Sequence, residues 1–214
     1  MIFWFLYILF IPYIYLCLPT KIIGKKNYKK VKKEPAIFCS NHQTNNDAII
    51  IKARVNLKFK FLAKDSLFRN KFLGYIFKKL GGIPIKRGSN DIQAVKTTLN
   101  LLKNNKQIVI FPEGTRVKED ESAEYKNGLV MFALKTDCYV VPSYFRKRTK
   151  PFVFNKLVIG EAFKFSDMDE FKDVKITKDV LNRASEVLQK KMEYLKNVNI
   201  KEYKKLLKEK RNAN

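Results

Sequence analysis

The chain has 214 residues and a formal net charge of +24, with 46 % hydrophobic and 13 % aromatic side chains. That apolar content fills a core, which excludes wholesale disorder, and the length fits one domain with an appendage. The charge selects anions as partners: nucleic acid, acidic lipid, acidic protein or a phosphorylated substrate, although heavy use of Lys, Asn, Ile and Phe marks part of it as AT-rich coding.

Residues 1–18 carry no charge. At about 1.5 Å rise per residue, a helix of that length reaches nearly across a ~30 Å hydrocarbon core. A cleaved signal peptide is a poor reading, because no basic region precedes the run and no small-residue cleavage site ends it. Residues 1–20 are therefore expected to form a membrane-embedded helical anchor, kinked at Pro12. Residues 21–34, with lysines at 21, 25, 26, 29, 30, 32 and 33, read as a basic connector. Such a cluster places the main body on the cytoplasmic side of the membrane, against anionic lipid.

The run AIFCS (36–40) reads as a buried strand, and a helix begins near Asp47. Residues 57–64 alternate apolar and charged side chains, as a strand with one wet face does. Apolar residues at 68, 72, 73, 76, 77 and 80 share a helical face, which Gly81 and Gly82 end. A short strand (83–87) and an amphipathic helix carrying Ile92, Val95, Leu99 and Leu102 follow. QIVIFP (107–112) is the clearest buried strand. After a polar loop come the helix GLVMFALKT, two strands in CYVVPSYF and FVFNKLVIGEAF, and helix from about 177 onward. This alternation predicts an α/β fold: a mixed, partly parallel sheet flanked by helices over 35–165, with 166–214 as a basic helical region.

Cysteines 17, 39 and 138 are far apart and odd in number, and one histidine cannot complete a zinc pattern. No metal or cofactor is expected, and the thiols read as small buried groups in a reducing setting. No P-loop, GxGxxG or GxSxG frame is present.

Two polar segments sit just after predicted strands, where sites form in α/β sheets. The first, NHQTNND (41–47), holds His42, the only histidine. An imidazole oriented by a carboxylate can take a proton from a hydroxyl, so His42 and Asp47 form a candidate catalytic pair. The competing reading is a buried histidine beside a helix-start aspartate. With no serine in an activated frame, the nucleophile of such a pair is the substrate's own hydroxyl or water. The second segment, FPEGTR (111–116), offers backbone N–H groups, Thr115 and the Arg116 guanidinium, which together suit a phosphate; an ordinary turn with a solvated arginine is the alternative. KEDES (118–122) reads as a solvated loop in preference to a metal site.

Taken together, these residues resemble the glycerolipid acyltransferases, in particular the bacterial 1-acylglycerol-3-phosphate acyltransferases. The resemblance rests on four blocks: Asn41, His42, Thr44 and Asp47 in an NHxxxxD pattern; GGIPIKR with Gly81, Ile85 and Arg87; FPEGTR at 111–116; and Pro142 after an apolar strand. It covers roughly 35–145. Pro84, Val117 and the acidic KEDESAEY loop depart from the family pattern without removing a reacting group. The resemblance implies that His42 deprotonates the 2-hydroxyl of lysophosphatidic acid, which attacks an acyl thioester of coenzyme A or acyl carrier protein. It further implies a phosphate grip by Arg116, Arg87, Thr115 and Gly114, and substrate positioning by Glu113, Asn41 and Lys64. A bacterial cytoplasmic membrane is the expected location. A lysolipid with another headgroup is the rival within enzymes. A nucleic-acid-binding protein is disfavoured, because it leaves both strand-end loops and the apolar N-terminus unexplained.

Overall fold

The computed structural model describes residues 12–86, 91–117 and 124–212. Among these, seven strands form one sheet: β1 (Thr20–Ile23), β2 (Ala36–Ser40), β3 (Lys60–Lys64), β4 (Gly82–Ile85), β5 (Gln107–Ile110), β6 (Tyr139–Phe145) and β7 (Asn155–Ile159), in the order β1-β7-β6-β2-β5-β3-β4. Every neighbouring pair is parallel except β6 and β7. The sheet is thus mixed and mostly parallel.

Parallel strands need crossovers, and helices supply them. Helix α2 (Asp47–Arg54) links β2 to β3, α4 (Ile92–Lys103) links β4 to β5, and α5 (Gly128–Thr136) links β5 to β6; α3 (Lys71–Lys79) precedes β4. The central strand β2 is buried along its whole length, and alternation sends its side chains to opposite faces. Ala36 and Phe38 join a core with Ile50 and Ile51 of α2. Ile37 and Cys39 join a second core with Leu129 and Phe132 of α5 and Leu188 and Met192 of α6 (Lys178–Asn197). Both faces are therefore covered, as a parallel sheet requires. Of the three cysteines, Cys39 and Cys138 are buried and Cys17 is half-buried, all as free thiols.

The segment read as a basic connector is part of the sheet. Residues 20–23 form edge strand β1, parallel to β7, and Lys25–Lys29 form the short helix α1. Lys21 faces water while Thr20 and Ile23 are buried, so the lysine that suggested a linker is the charge that protects a sheet edge. In α1, Asn27 donates to the Ile159 carbonyl and to the Tyr203 hydroxyl, and Tyr28 donates to Gln107 Oε1 at 2.7 Å. Gly24 joins β1 to α1 at φ +79°, where a Cβ would stand 2.2 Å from the Ile159 oxygen.

The expected membrane-embedded N-terminal segment finds no support in the fold. Residues 1–11 lie outside the described residues, and among the described residues no helix is long and apolar enough to cross a membrane. Residues 12–17 are helical and lie against the domain: Ile14 and Leu18 are buried, and the Arg54 guanidinium binds the carbonyls of Ile14, Tyr15 and Leu18 while stacking on the Tyr15 ring. Helix α6, within the region read as a basic tail, is one of the covering layers. Helix α7 (Ile200–Asn212) is mostly solvated, held by buried Tyr203, whose hydroxyl donates to the Ile159 carbonyl at 2.8 Å.

Candidate active site

Strands β2, β3, β4, β5 and β6 run in one direction, so the loops after them emerge at one end of the sheet. Neighbours β2 and β5 pair through Cys39 and Ile110, which sets residues 41–47 beside residues 111–117. The two loops are joined directly: the Val117 N–H donates to the His42 carbonyl at 2.8 Å.

The strand-to-helix turn brings the two motif residues together. Asp47 opens α2 and folds back, so that His42 Nδ1 lies 3.2 Å from its Oδ2. That oxygen also accepts the N–H groups of Gln43 and Thr44, each at 2.7 Å. Asp47 Oδ1 accepts the hydroxyls of Thr44 at 2.7 Å and of Thr149 at 3.3 Å. The carboxylate is fully buried, and these bonds replace its lost hydration. A neutral imidazole donating Nδ1–H to Asp47 keeps Nε2 as its basic nitrogen. The Phe111 ring stacks on the imidazole at a centroid distance of 4.1 Å and 16° between planes, which fixes where that nitrogen points.

Asn41 is turned into the sheet. Its Nδ2 donates to the Phe145 carbonyl and its Oδ1 accepts the Phe145 N–H, clipping β2 to β6 just past Ser40. Asn41, expected to position substrate, thereby anchors the loop that carries His42. Glu113 is buried, and its Oε2 has no hydrogen-bond partner among the described residues. Burial pushes its carboxyl up to about 7, its own N–H and that of His42 pull it partly back, and the Asp47 charge raises it. Gly114 adopts φ +67°, with the Lys126 side chain lying over it. Thr115 and Arg116 are exposed, and Arg116 is one residue from the Val117 N–H that holds the His42 carbonyl. Lys64 is exposed at the end of β3, paired with Ile85 at the end of β4. Arg87 and the KEDES segment lie outside the described residues.

Sequence reasoning did not single out Thr149, Lys126 or the stacking role of Phe111. Thr149 is 102 residues from Asp47 along the chain, and Asn155 Nδ2 in turn donates to its hydroxyl at 3.4 Å. No local pattern could have linked them.

Glu113 carries a pH prediction. Above about 4.5, the ordinary value, an unfolded chain has released a proton that the folded chain keeps up to about 7. The native state binds more protons in that window, so this group's contribution to stability falls as pH rises from 4.5 to 7, and the penalty is complete above it. Glu113→Gln is expected to flatten this slope, as read from urea midpoints across pH 4–8.

Residues 20–146 match the family described as Acyltransferase. The chain belongs to that family. The matched segment of this acyltransferase runs from β1 through β6 and holds both loops of the site. The chain is 30 % identical over 146 residues to the 1-acyl-sn-glycerol-3-phosphate acyltransferase of Bacillus subtilis, covering 64 % of this chain and 68 % of that one. It is 33 % identical over 110 residues to a chloroplastic 1-acyl-sn-glycerol-3-phosphate acyltransferase of Arabidopsis thaliana, covering 50 % of this chain and 31 % of the relative. The chain thus spans about a third of the length of the chloroplast relatives it matches. The crystal structure of the 1-acyl-sn-glycerophosphate acyltransferase from Thermotoga maritima shares the fold, with a TM-score of 0.64 at 23 % identity over 85 % of this chain and 74 % of that one.

Proposed function

We propose that this acyltransferase moves an acyl chain from a thioester, of coenzyme A or acyl carrier protein, to the 2-hydroxyl of 1-acyl-sn-glycerol-3-phosphate, yielding phosphatidic acid at the cytoplasmic face of a bacterial membrane. His42 Nε2 takes the hydroxyl proton as the oxygen attacks the thioester carbonyl. The tetrahedral intermediate collapses, the C–S bond breaks, and the imidazolium returns the proton to the departing thiolate. Asp47 steadies the imidazolium between these steps. Arg116, with Arg87, Thr115 and the Gly114 backbone, grips the substrate phosphate, and Lys64 adds positive potential at the same sheet end. What supports the reading is the 2.8 Å bond between the Val117 N–H and the His42 carbonyl, which joins the histidine loop to the FPEGTR turn. The curated relatives named above act on the same acceptor by their descriptions.

The test offers the purified chain lysophosphatidic acid and lysolipids with other headgroups, each with both thioesters, and identifies the product by mass. Phosphatidic acid and free thiol in equal amounts are expected. Transfer only to lysolipids lacking the phosphate monoester would replace the acceptor, and no transfer with any thioester would remove the reaction.

A further inference from the structure

The loop between β6 and β7, residues 146–154, reads RKRTKPFVF. Thr149 is buried in it, but its tip is apolar and wet: Phe152 is 78 % exposed, Phe154 51 % and Val153 40 %. Phe152 adopts φ +59°, a left-handed conformation that disfavours a bulky side chain, so the loop holds an exposed ring at a conformational cost. Lys147, Arg148 and Lys150 flank the tip on the exposed surface, and no acidic residue occurs between 146 and 160.

The patch continues onto a second apolar surface. The Phe152 N–H donates to the Cys17 carbonyl at 2.6 Å, which joins the loop to the helical residues 12–17. There Leu16 is 73 % exposed, beside half-exposed Tyr13 and Tyr15. The chain upstream of them is uncharged to residue 1. The same loop reaches the reacting groups, because the Thr149 hydroxyl is bonded to Asp47. Thr149 and Phe152 are three positions apart, a span of at most about 11 Å.

We propose that this loop is a lipid-contact element, seating Phe152, Val153 and Phe154 in the interface of an anionic bilayer while Lys147, Arg148 and Lys150 meet its headgroups. Aromatic rings settle at that depth, and basic residues beside them gain from the surface charge. The proposal deepens the lysolipid reading of the site and rests on it for its purpose: a loop tip within a short span of Asp47 keeps the His42–Asp47 pair at headgroup depth, where a lysolipid glycerol lies. An apolar tip ringed by cations fits an anionic lipid surface better than a second copy of this chain, whose net charge of +24 repels its own kind.

The chain has one tryptophan, Trp4, so the pair Trp4→Phe and Phe152→Trp puts a single reporter at the tip. With no substrate present, phosphatidylglycerol vesicles are expected to blue-shift its emission, and brominated lipid to quench it. Phe152→Ser is expected to weaken vesicle partition about tenfold or more, from the lost burial of one phenylalanine. Lys150→Glu is expected to weaken it about fivefold or more at low salt and little at high salt. Circular dichroism of each variant confirms folding. A reporter unmoved by vesicles overturns the proposal. So does one already blue-shifted without lipid, the mark of coverage by the chain's own N-terminus or by a second copy. Because no step depends on transfer, a failed acyl-transfer assay with intact vesicle binding would strike the proposed reaction and not the loop.

Discussion

His42→Ala is expected to reduce acyl transfer by about 10²–10⁴-fold, the range of a positioned general base, while leaving the fold in place. The chain has no second histidine to substitute for it. Structurally the ring contributes a stack on Phe111 and one bond to Asp47. After its removal, Asp47 Oδ2 still accepts two backbone N–H groups, so the carboxylate remains paired. Initial rates with lysophosphatidic acid and a thioester, alongside thermal unfolding of the variant, separate the chemical loss from the structural one. Turnover close to that of the parent chain would take His42 out of the mechanism.

Asp47→Ala is expected to damage both properties. Its side chain ties the His42 loop, the start of α2 and the loop after β6 to one point. Removal leaves the N–H groups of Gln43 and Thr44 without their acceptor in the interior. At about 1–3 kcal/mol for each buried donor left unpaired, roughly 2–6 kcal/mol of stability is lost. A further ~0.3–1 kcal/mol follows from losing a negative charge at the helix N-terminus. The imidazole also loses its orienting partner, so transfer should fall too, though less than in His42→Ala, where the base itself is gone. Urea unfolding of the two variants distinguishes the roles: a large drop in midpoint for Asp47→Ala and a small one for His42→Ala. Equal midpoints would mean that Asp47 is not the hub of this turn.

The sheet and the histidine loop were legible because their signals are local. Apolar runs at 36–40 and 107–110 mark strands buried on both faces, and the spacing from His42 to Asp47 fits a strand-to-helix turn. FPEGTR sits just past a buried strand, which is enough to place it at the sheet's carboxyl end. What escaped depends on partners far along the chain. The lysines around β1 and α1 look like a solvated linker until Asn27 is seen against Tyr203 and Tyr28 against Gln107, which lie 176 and 79 residues away. Thr149 reaches Asp47 only because β6 lies beside β2. Asn41 reads as a motif residue, and its bonds to the backbone of Phe145, 104 positions away, form no part of that local pattern. The uncharged N-terminus illustrates a different limit. Hydropathy treats the run as uniform, whereas among its described residues Ile14 and Leu18 fill the protein's own core and Leu16 faces outward.

The proposed catalysis requires one imidazole facing an acceptor whose phosphate is held by the neighbouring turn. Because the chain has a single histidine, ¹⁵N-histidine labelling yields one pair of ring signals. The neutral ring should show its proton on Nδ1. Lysophosphatidic acid should shift the Nε2 signal, monoacylglycerol should shift it far less, and Arg116→Ala should abolish the difference between the two lipids. A ring protonated on Nε2, or signals indifferent to the phosphate, would contradict it.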